Sequence, residues 1–307
     1  ILKMHFNGLP GRKQQQEAAV GEIRYANQNK STQMHCVNGV TYITFRKLSE
    51  AGVIHGFSTR LGGVSRGYLG TMNLSFHRGD DPEAVMENHR RLAAAIGYDA
   101  SNAVFSDQVH ETRIHSVTRE DAGKGIVKDT DIIGIDGLVT DCPGIPLVTF
   151  YADCVPLFFY DPVRQVVATA HSGWRGTVAG MGAVMIDYMK KHYGCRAEDI
   201  VCAIGPSICG NCYEISQDVA DAFRERFPQD KYPELMRAGR EGHYDLDLWK
   251  ANQWILQEAG IRPEHLDITD LCTCCNPELL FSHRASHGMR GNLAAVIMLP
   301  ERSHHER

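Results

Sequence analysis

The sequence predicts an α+β protein, a single domain of mixed β-sheets flanked by helices. Short runs rich in β-branched and aromatic residues outnumber long amphipathic segments and do not alternate strictly with them, which argues against a doubly wound parallel sheet. No internal repeat, low-complexity tract or composition break divides residues 37 to 307. With 307 residues, 43% hydrophobic and 22% charged, the chain can bury a core without covalent staples.

Residues 1–36 read as a flexible polar extension, with three consecutive glutamines and no sustained period; residues 37–307 form the domain. Thr41 to Arg46 and Val53 to Phe57 read as strands. The second runs into FSTRLGGVSRG, residues 57–67. This loop reads either as a solvated turn or as an anion cradle in which Ser58, Arg60 and glycine amides face a phosphate or carboxylate. Pro82 to Ile96 is a helix with Asp80 or Asp81 as N-cap and Val85, Leu92 and Ala95 inward. His77 lies on the loop before it, where a lone histidine is ordinarily a surface residue. His110 and His115 suggest the zinc-protease HExxH, but a spacing of five residues places the imidazoles off a common helical face, so the motif is rejected and His110 stands alone.

Residues 119–136 read as a charged surface excursion. Gly137 to Asp141 and Pro146 to Tyr151 are strands, and they deliver the chain to YADCVPLFFYDPVRQVVATAHSGWRGTVAG, residues 151–180. There Asp153 and Cys154 open an apolar strand, Asp161-Pro162 turns it, and the return strand ends at His171. A helix from Thr177 to Lys191 follows, with Val178, Met181, Met185 and Tyr188 or Met189 as its core stripe. Further strands are expected at Ile200 to Ile204, Leu266 to Thr269 and Leu293 to Leu299, and helices at Asp218 to Phe227 and Leu246 to Ala259. If the two strands of the 151–171 segment are adjacent, Cys154 and His171 meet near one sheet edge, as nucleophile and base or as two zinc ligands.

Charge and cysteine usage narrow the partners. A net charge of -5 with no long basic run among 32 Lys and Arg residues excludes a nucleic-acid surface but leaves small anions open. No apolar run reads as a membrane span and no secretory leader is visible, so a cytoplasmic location is expected. The ten cysteines then read as free thiols by default. A four-cysteine zinc site from Cys209, Cys212 and the Cys272 to Cys275 cluster is the alternative, with a separation longer than in the usual zinc ribbon.

FSTRLGGVS, NLSFHRGDD, QVH, ADCVPLFFYDP, AHSGWRG, GPSI with CYE, and FSHR with Gly288 and Arg290 occur in order from about Val37 to Leu299. Together they resemble the YfiH-type family, once labelled laccase-domain or multicopper polyphenol oxidoreductases and now regarded as zinc-dependent purine nucleoside enzymes. The resemblance implies Zn2+ held by His77, Cys154 and His171 with a fourth position open. It implies phosphorolysis of adenosine, inosine, guanosine and methylthioadenosine to free base and ribose 1-phosphate, together with adenosine deamination. Asp153 and Arg175 join Cys154 as catalytic candidates, and Arg60, Ser58, Asn73, His110 and Arg284 as substrate or phosphate contacts. The expected partners are purine nucleosides and phosphate. The segment around CYE and the FSHR segment depart from the family pattern, which bears most on Arg284. A copper oxidase is disfavoured because the chain has no His-x-His pair. A non-enzymatic domain stapled by zinc is the alternative from another class.

Overall fold

A computed structural model describes residues 22–301. In chain order its strands are β1 (Thr32–Val37), β2 (Val40–Phe45), β3 (Ile54–Ser58), β4 (Val104–Phe105), β5 (Ile114–Ser116), β6 (Gly137–Thr140), β7 (Leu147–Tyr151), β8 (Val155–Asp161), β9 (Val166–Ser172), β10 (Val201–Ile204), β11 (Glu214–Ser216), β12 (Met236–Ala238), β13 (His243–Leu246), β14 (Leu266–Ile268) and β15 (Leu293–Met298). The α-helices are α1 (Arg46–Glu50), α2 (Pro82–Ile96), α3 (Trp174–Val178), α4 (Met181–Tyr193), α5 (Gln217–Arg226), α6 (Tyr232–Leu235) and α7 (Leu248–Glu258). This is the expected mixed α+β domain.

Two six-stranded sheets stack face to face. One has the order β1-β2-β3-β15-β7-β4 and the other β14-β10-β8-β9-β6-β5, while β11, β13 and β12 form a small third sheet. Side-chain alternation builds the layers. In β8 and β9, Phe158, Tyr160 and Val167 meet Phe57, Leu147, Tyr151 and Leu293 of the facing sheet. Leu157, Phe159 and Ala168 point the other way, onto Met181, Met185 and Met189 of α4 and Ile255 of α7. On the far side of the first sheet, Val148 and Val296 meet Leu92 and Ala95 of α2. The order is therefore helix, sheet, sheet, helices, and each large apolar side chain buried in it contributes about 1.5–3 kcal/mol.

The bounds of α2 follow from its ends. Asp81 caps Glu83 N–H at 3.0 Å, Pro82 takes the first helical position, and Gly97 closes the helix at φ 98°. The single helix expected over Thr177 to Lys191 is two, because Gly180 at φ 75° turns the chain between α3 and α4. The methionine stripe holds, with Met181, Met185 and Met189 fully buried.

The expected boundary at residue 37 is corrected. Residues 1–21 of the proposed extension lie outside the described residues, but from Arg24 onward the chain is tied to the domain. Arg24 N–H donates to Asn276 Oδ1 at 2.8 Å, Tyr25 bridges to Leu271, and β1 pairs with β2 along its whole length. β1 is a half-exposed edge strand whose polar residues dilute the apolar pattern. The small third sheet was also unexpected; its strands span three or four residues each. Among the described residues no helix is long and apolar enough to cross a membrane.

Two imidazoles are buried in these layers. His55 receives Phe45 N–H on Nε2 at 2.9 Å, and His89 bonds the Leu74 carbonyl at 2.8 Å among Phe76, Phe105 and Phe150. Burial pushes each down to about 4, so both are neutral in the fold and take up a proton on unfolding below about pH 6.5. Their contribution is present above that pH and is lost as pH falls towards 4, by up to roughly 3 kcal/mol each. Urea unfolding of metal-depleted protein should show the midpoint dropping between pH 7.5 and pH 5, and the drop should shrink in His89→Gln.

Candidate active site and metal centre

The site forms at one open end of the gap between the two large sheets. β8 and β9 are antiparallel with Pro156 opposite His171 and Val155 opposite Ser172. Cys154, two residues before Pro156, therefore shares the inter-sheet face with His171 and lies diagonally across from it. Gly173 sits opposite Cys154, and a Cβ there would come within 3.1 Å of both the Cys154 thiol and the His110 ring. Glycine is what lets these side chains close on each other.

Asp136 organises the rest. Its buried carboxylate accepts from three consecutive backbone N–H groups, those of Val109, His110 and Glu111, each at 3.0 Å. His110 takes φ 67° to make this concave nest. The same carboxylate bonds His171 Nδ1 at 2.8 Å, and the Asp136 carbonyl accepts His171 N–H at 2.8 Å. One side chain thus fixes the His110 loop and holds the His171 ring with Nδ1 towards the carboxylate, so that Nε2 is the nitrogen available to a ligand.

His110, Cys154 and His171 have ligand atoms all within 4.8 Å of one another, and the two rings meet edge to face at 4.8 Å. His171 is buried, Cys154 half-buried and His110 exposed to the cavity. Burial opposes charge on both Cys154 and His171, but each offsets it for the other. The His171 charge and a hydrogen bond from His110 draw the thiol below its ordinary value, while Cys154 and Asp136 raise the imidazole. Burial alone would raise Asp136 as well; the His171 and backbone donors outweigh it and hold the carboxyl low.

This cluster opens into a cavity of about 1130 Å³, at the upper end of the roughly 300–1,000 Å³ that small-ligand sites occupy. His77, Arg78, Asp153, Arg284 and Arg290 line it beside the cluster. His77, expected as third ligand, lies on the loop before α2 and is not among the described residues whose ligand atoms converge. His110, expected as a substrate contact, is the residue that the structure brings together with Cys154 and His171. Asp153, at φ 86°, has both carboxylate oxygens engaged, by Thr273 Oγ1 at 2.6 Å and Arg284 N–H at 2.7 Å. Arg284 reaches the cavity, yet its guanidinium donates to the Cys212 and Glu214 carbonyls.

Four other expected residues do not line the cavity. Arg60 spends its guanidinium on the Gly70 and Pro277 carbonyls and covers the Phe281 ring, so the glycine-rich loop is held by its arginine rather than cradling an anion. Ser58 is fully buried and accepts Ala294 N–H. Asn73 is fully buried and bonds Ser75, Asp80 and Asn292. Arg175 is exposed on α3 and stacks on Trp174. Nor is the 119–136 segment a mere surface excursion: Ile126 and Lys128 line the cavity and Asp136 ends the segment beneath it.

The sequence reading missed Asp136, Arg78 and Arg290. Arg290 donates through Nη1 to the Gly291 carbonyl and Asn292 Oδ1, while its Nε is buried without a partner among the described residues; burial, then the neighbouring Arg78, lowers this guanidinium to about 10, so it stays charged at neutral pH. Among the described residues the Arg78 guanidinium donates to the Gly288 and Arg290 carbonyls. Arg78 lay in the quoted NLSFHRGDD and Arg290 closed the FSHR segment; the signal was present without a reason to prefer them over Arg60.

A family model described as "Multi-copper polyphenol oxidoreductase laccase" matches residues 54–300. The purine nucleoside phosphorylase YlmD of Geobacillus stearothermophilus is 38% identical over 249 residues, covering 80% of this chain and 90% of the relative. The Bacillus subtilis YlmD, of the same name, is 37% identical over 250 residues, covering 81% and 89%. Among solved structures, YlmD from Geobacillus stearothermophilus superposes with a TM-score of 0.82 at 35% identity, covering 88% of this chain and 99% of that one. The Bacillus licheniformis YfiH structure gives 0.80 at 35%, covering 86% and 97%. By sequence and by fold, then, the chain belongs to the laccase-domain family that includes YfiH and YlmD.

Proposed function

We propose that this chain is a purine nucleoside phosphorylase whose His110, Cys154 and His171 hold a zinc ion. One observation carries the reading: a single cavity has the two-imidazole, one-thiol cluster on one wall and the charged pair Arg78 and Arg290 on another. The names of the relatives support the same activity. The donor set fits the metal, since zinc with bonds of about 2.0–2.3 Å takes nitrogen and sulfur ligands, and three protein ligands with an open position are the catalytic pattern. When bound, zinc supplies a Lewis acid at that position.

The residues act as follows. Asp136 presents His171 through Nε2 and sets His110 beside it. Arg78 and Arg290 neutralise a phosphate dianion and hold it against the ribose. An oxygen of the hydrogen phosphate dianion bonds to the anomeric carbon, the bond to the purine nitrogen breaks, and the purine leaves with the electron pair and takes up the proton that the phosphate gives up. Asp153, with both oxygens engaged, positions the Arg284 turn and adjoins Cys154; it is a positioning residue here, not a free base. The proposed substrates are adenosine, inosine, guanosine and methylthioadenosine. The open coordination position also favours adenosine deamination as a second activity, in which water replaces the amino group and ammonia is released. A cytoplasmic setting belongs to the same proposal.

Purified protein incubated with inosine, adenosine or methylthioadenosine should release free base only when phosphate is present; base release without phosphate, or none at all, overturns phosphorolysis, and the latter favours a zinc-stapled, non-enzymatic domain. Cys154→Ala and His110→Ala should lose the metal of this site and turnover together, whereas His77→Ala should keep the metal. Asp136→Asn should weaken metal binding by about 10–100-fold, read by competition with a chromogenic chelator. Arg78→Ala and Arg290→Ala should raise the KM for phosphate by about 10-fold or more with metal content unchanged; an unaltered phosphate KM places the anion elsewhere.

A further inference from the structure

A second cluster lies behind the wall of the cavity. β10 and β14 pair in parallel, so the chain leaves both at the same end, and the pairing resumes one residue out of register at the Ser207–Cys272 bridge, with Thr273 N–H on the Ser207 carbonyl at 3.1 Å. Each strand is followed by a Cys-x-x-Cys. The first is Cys209 to Cys212, turned by Cys212 N–H on the Cys209 carbonyl at 2.9 Å. The second is Cys272 to Cys275, a knuckle hidden in the sequence because Cys274 interrupts it. The four thiols lie with their sulfurs all within 4.8 Å of one another, and none of them is in a disulfide.

We infer that Cys209, Cys212, Cys272 and Cys275 form a structural site for a tetrahedral, thiolate-bound divalent cation of the zinc class, separate from the His110, Cys154 and His171 cluster. Zinc–sulfur bonds of about 2.3 Å put tetrahedral sulfurs roughly 3.8 Å apart, so small side-chain shifts complete the geometry. Backbone donors for the charge are in place: Cys209 N–H and Cys275 N–H point at the Cys272 sulfur at 3.2 and 3.4 Å. A disulfide fits less well, since Cys212 and Cys275 sulfurs stand 3.4 Å apart against about 2.05 Å for a bond. Four soft ligands and no carboxylate in the set select zinc over magnesium or calcium.

The site would clamp the two loops that back the cavity. The Cys212 carbonyl accepts from Arg284 at 3.2 Å, and Thr273, inside the second knuckle, holds Asp153 at 2.6 Å. The inference does not rest on the phosphorylase reading, because its readout is metal content.

The test is metal analysis of full-length protein purified without chelators. Wild type should carry two zinc ions per chain and Cys154→Ala one. In Cys154→Ala, cobalt substitution should give the sulfur-to-cobalt charge-transfer absorption and tetrahedral visible bands of a four-thiolate site, and adding Cys212→Ser with Cys275→Ser should abolish them. Because the Cys154→Ala measurement needs no change in the cluster, it decides the matter even if the cluster variant does not fold. Metal-free Cys154→Ala with four titratable thiols at these positions, a Cys212–Cys275 disulfide in non-reducing peptide mapping, or inorganic sulfide with iron would each overturn the assignment.

Discussion

The buried carboxylate of Asp136 is the interaction on which the candidate site depends. A charged group with no exposed surface persists only where donors surround it, and here the donors are the parts that must be arranged: three successive amides of the His110 loop and the ring of His171. Burial and function are linked in one side chain. The electrostatic cost of keeping Asp136 ionised is offset by the same hydrogen bonds that aim the two imidazoles at Cys154.

The sheet stack supplies what Asp136 cannot. Antiparallel pairing of β8 with β9 brings Cys154 and His171 to one face, and the facing sheet covers that face with Tyr151, whose ring lies 5.5 Å from that of His171. The strand ends open where the loops after β4, β7 and β10 converge. This is a rigid floor under variable walls, the usual division of labour between sheet and loop. Arg78 comes from the α2 side of the first sheet and Arg290 from the approach to β15, so both cations come from the first sheet, whereas His171 ends β9 of the second and His110 lies on the loop that crosses from β4 to β5.

Much of the frame was legible. The bounds of α2 follow from Asp81, Pro82 and Gly97, and the buried side of α4 from methionines spaced four apart, because capping and periodicity act over a few residues. The β8–β9 hairpin was readable for the same reason, and with it Cys154 and His171. His110 was read as a substrate contact rather than a ligand because proximity across more than forty residues leaves no local mark, and the family motif that favoured His77 carried no geometry. Arg60 looked like an anion ligand by composition, yet nearby carbonyls consume its donors. The second Cys-x-x-Cys was masked in the sequence by Cys274, and only the parallel pairing of β10 and β14 closes the sixty-residue gap.

The left-handed backbone of His110 narrows what evolution can place there. The nest around Asp136 needs a positive φ at this position, which side-chain-bearing residues adopt at a cost and glycine adopts freely. Glycine would ease the turn and delete the imidazole; a β-branched residue would be refused by the backbone before its chemistry mattered. Position 110 thus answers to two unrelated demands, one conformational and one chemical, and few of the twenty amino acids satisfy either.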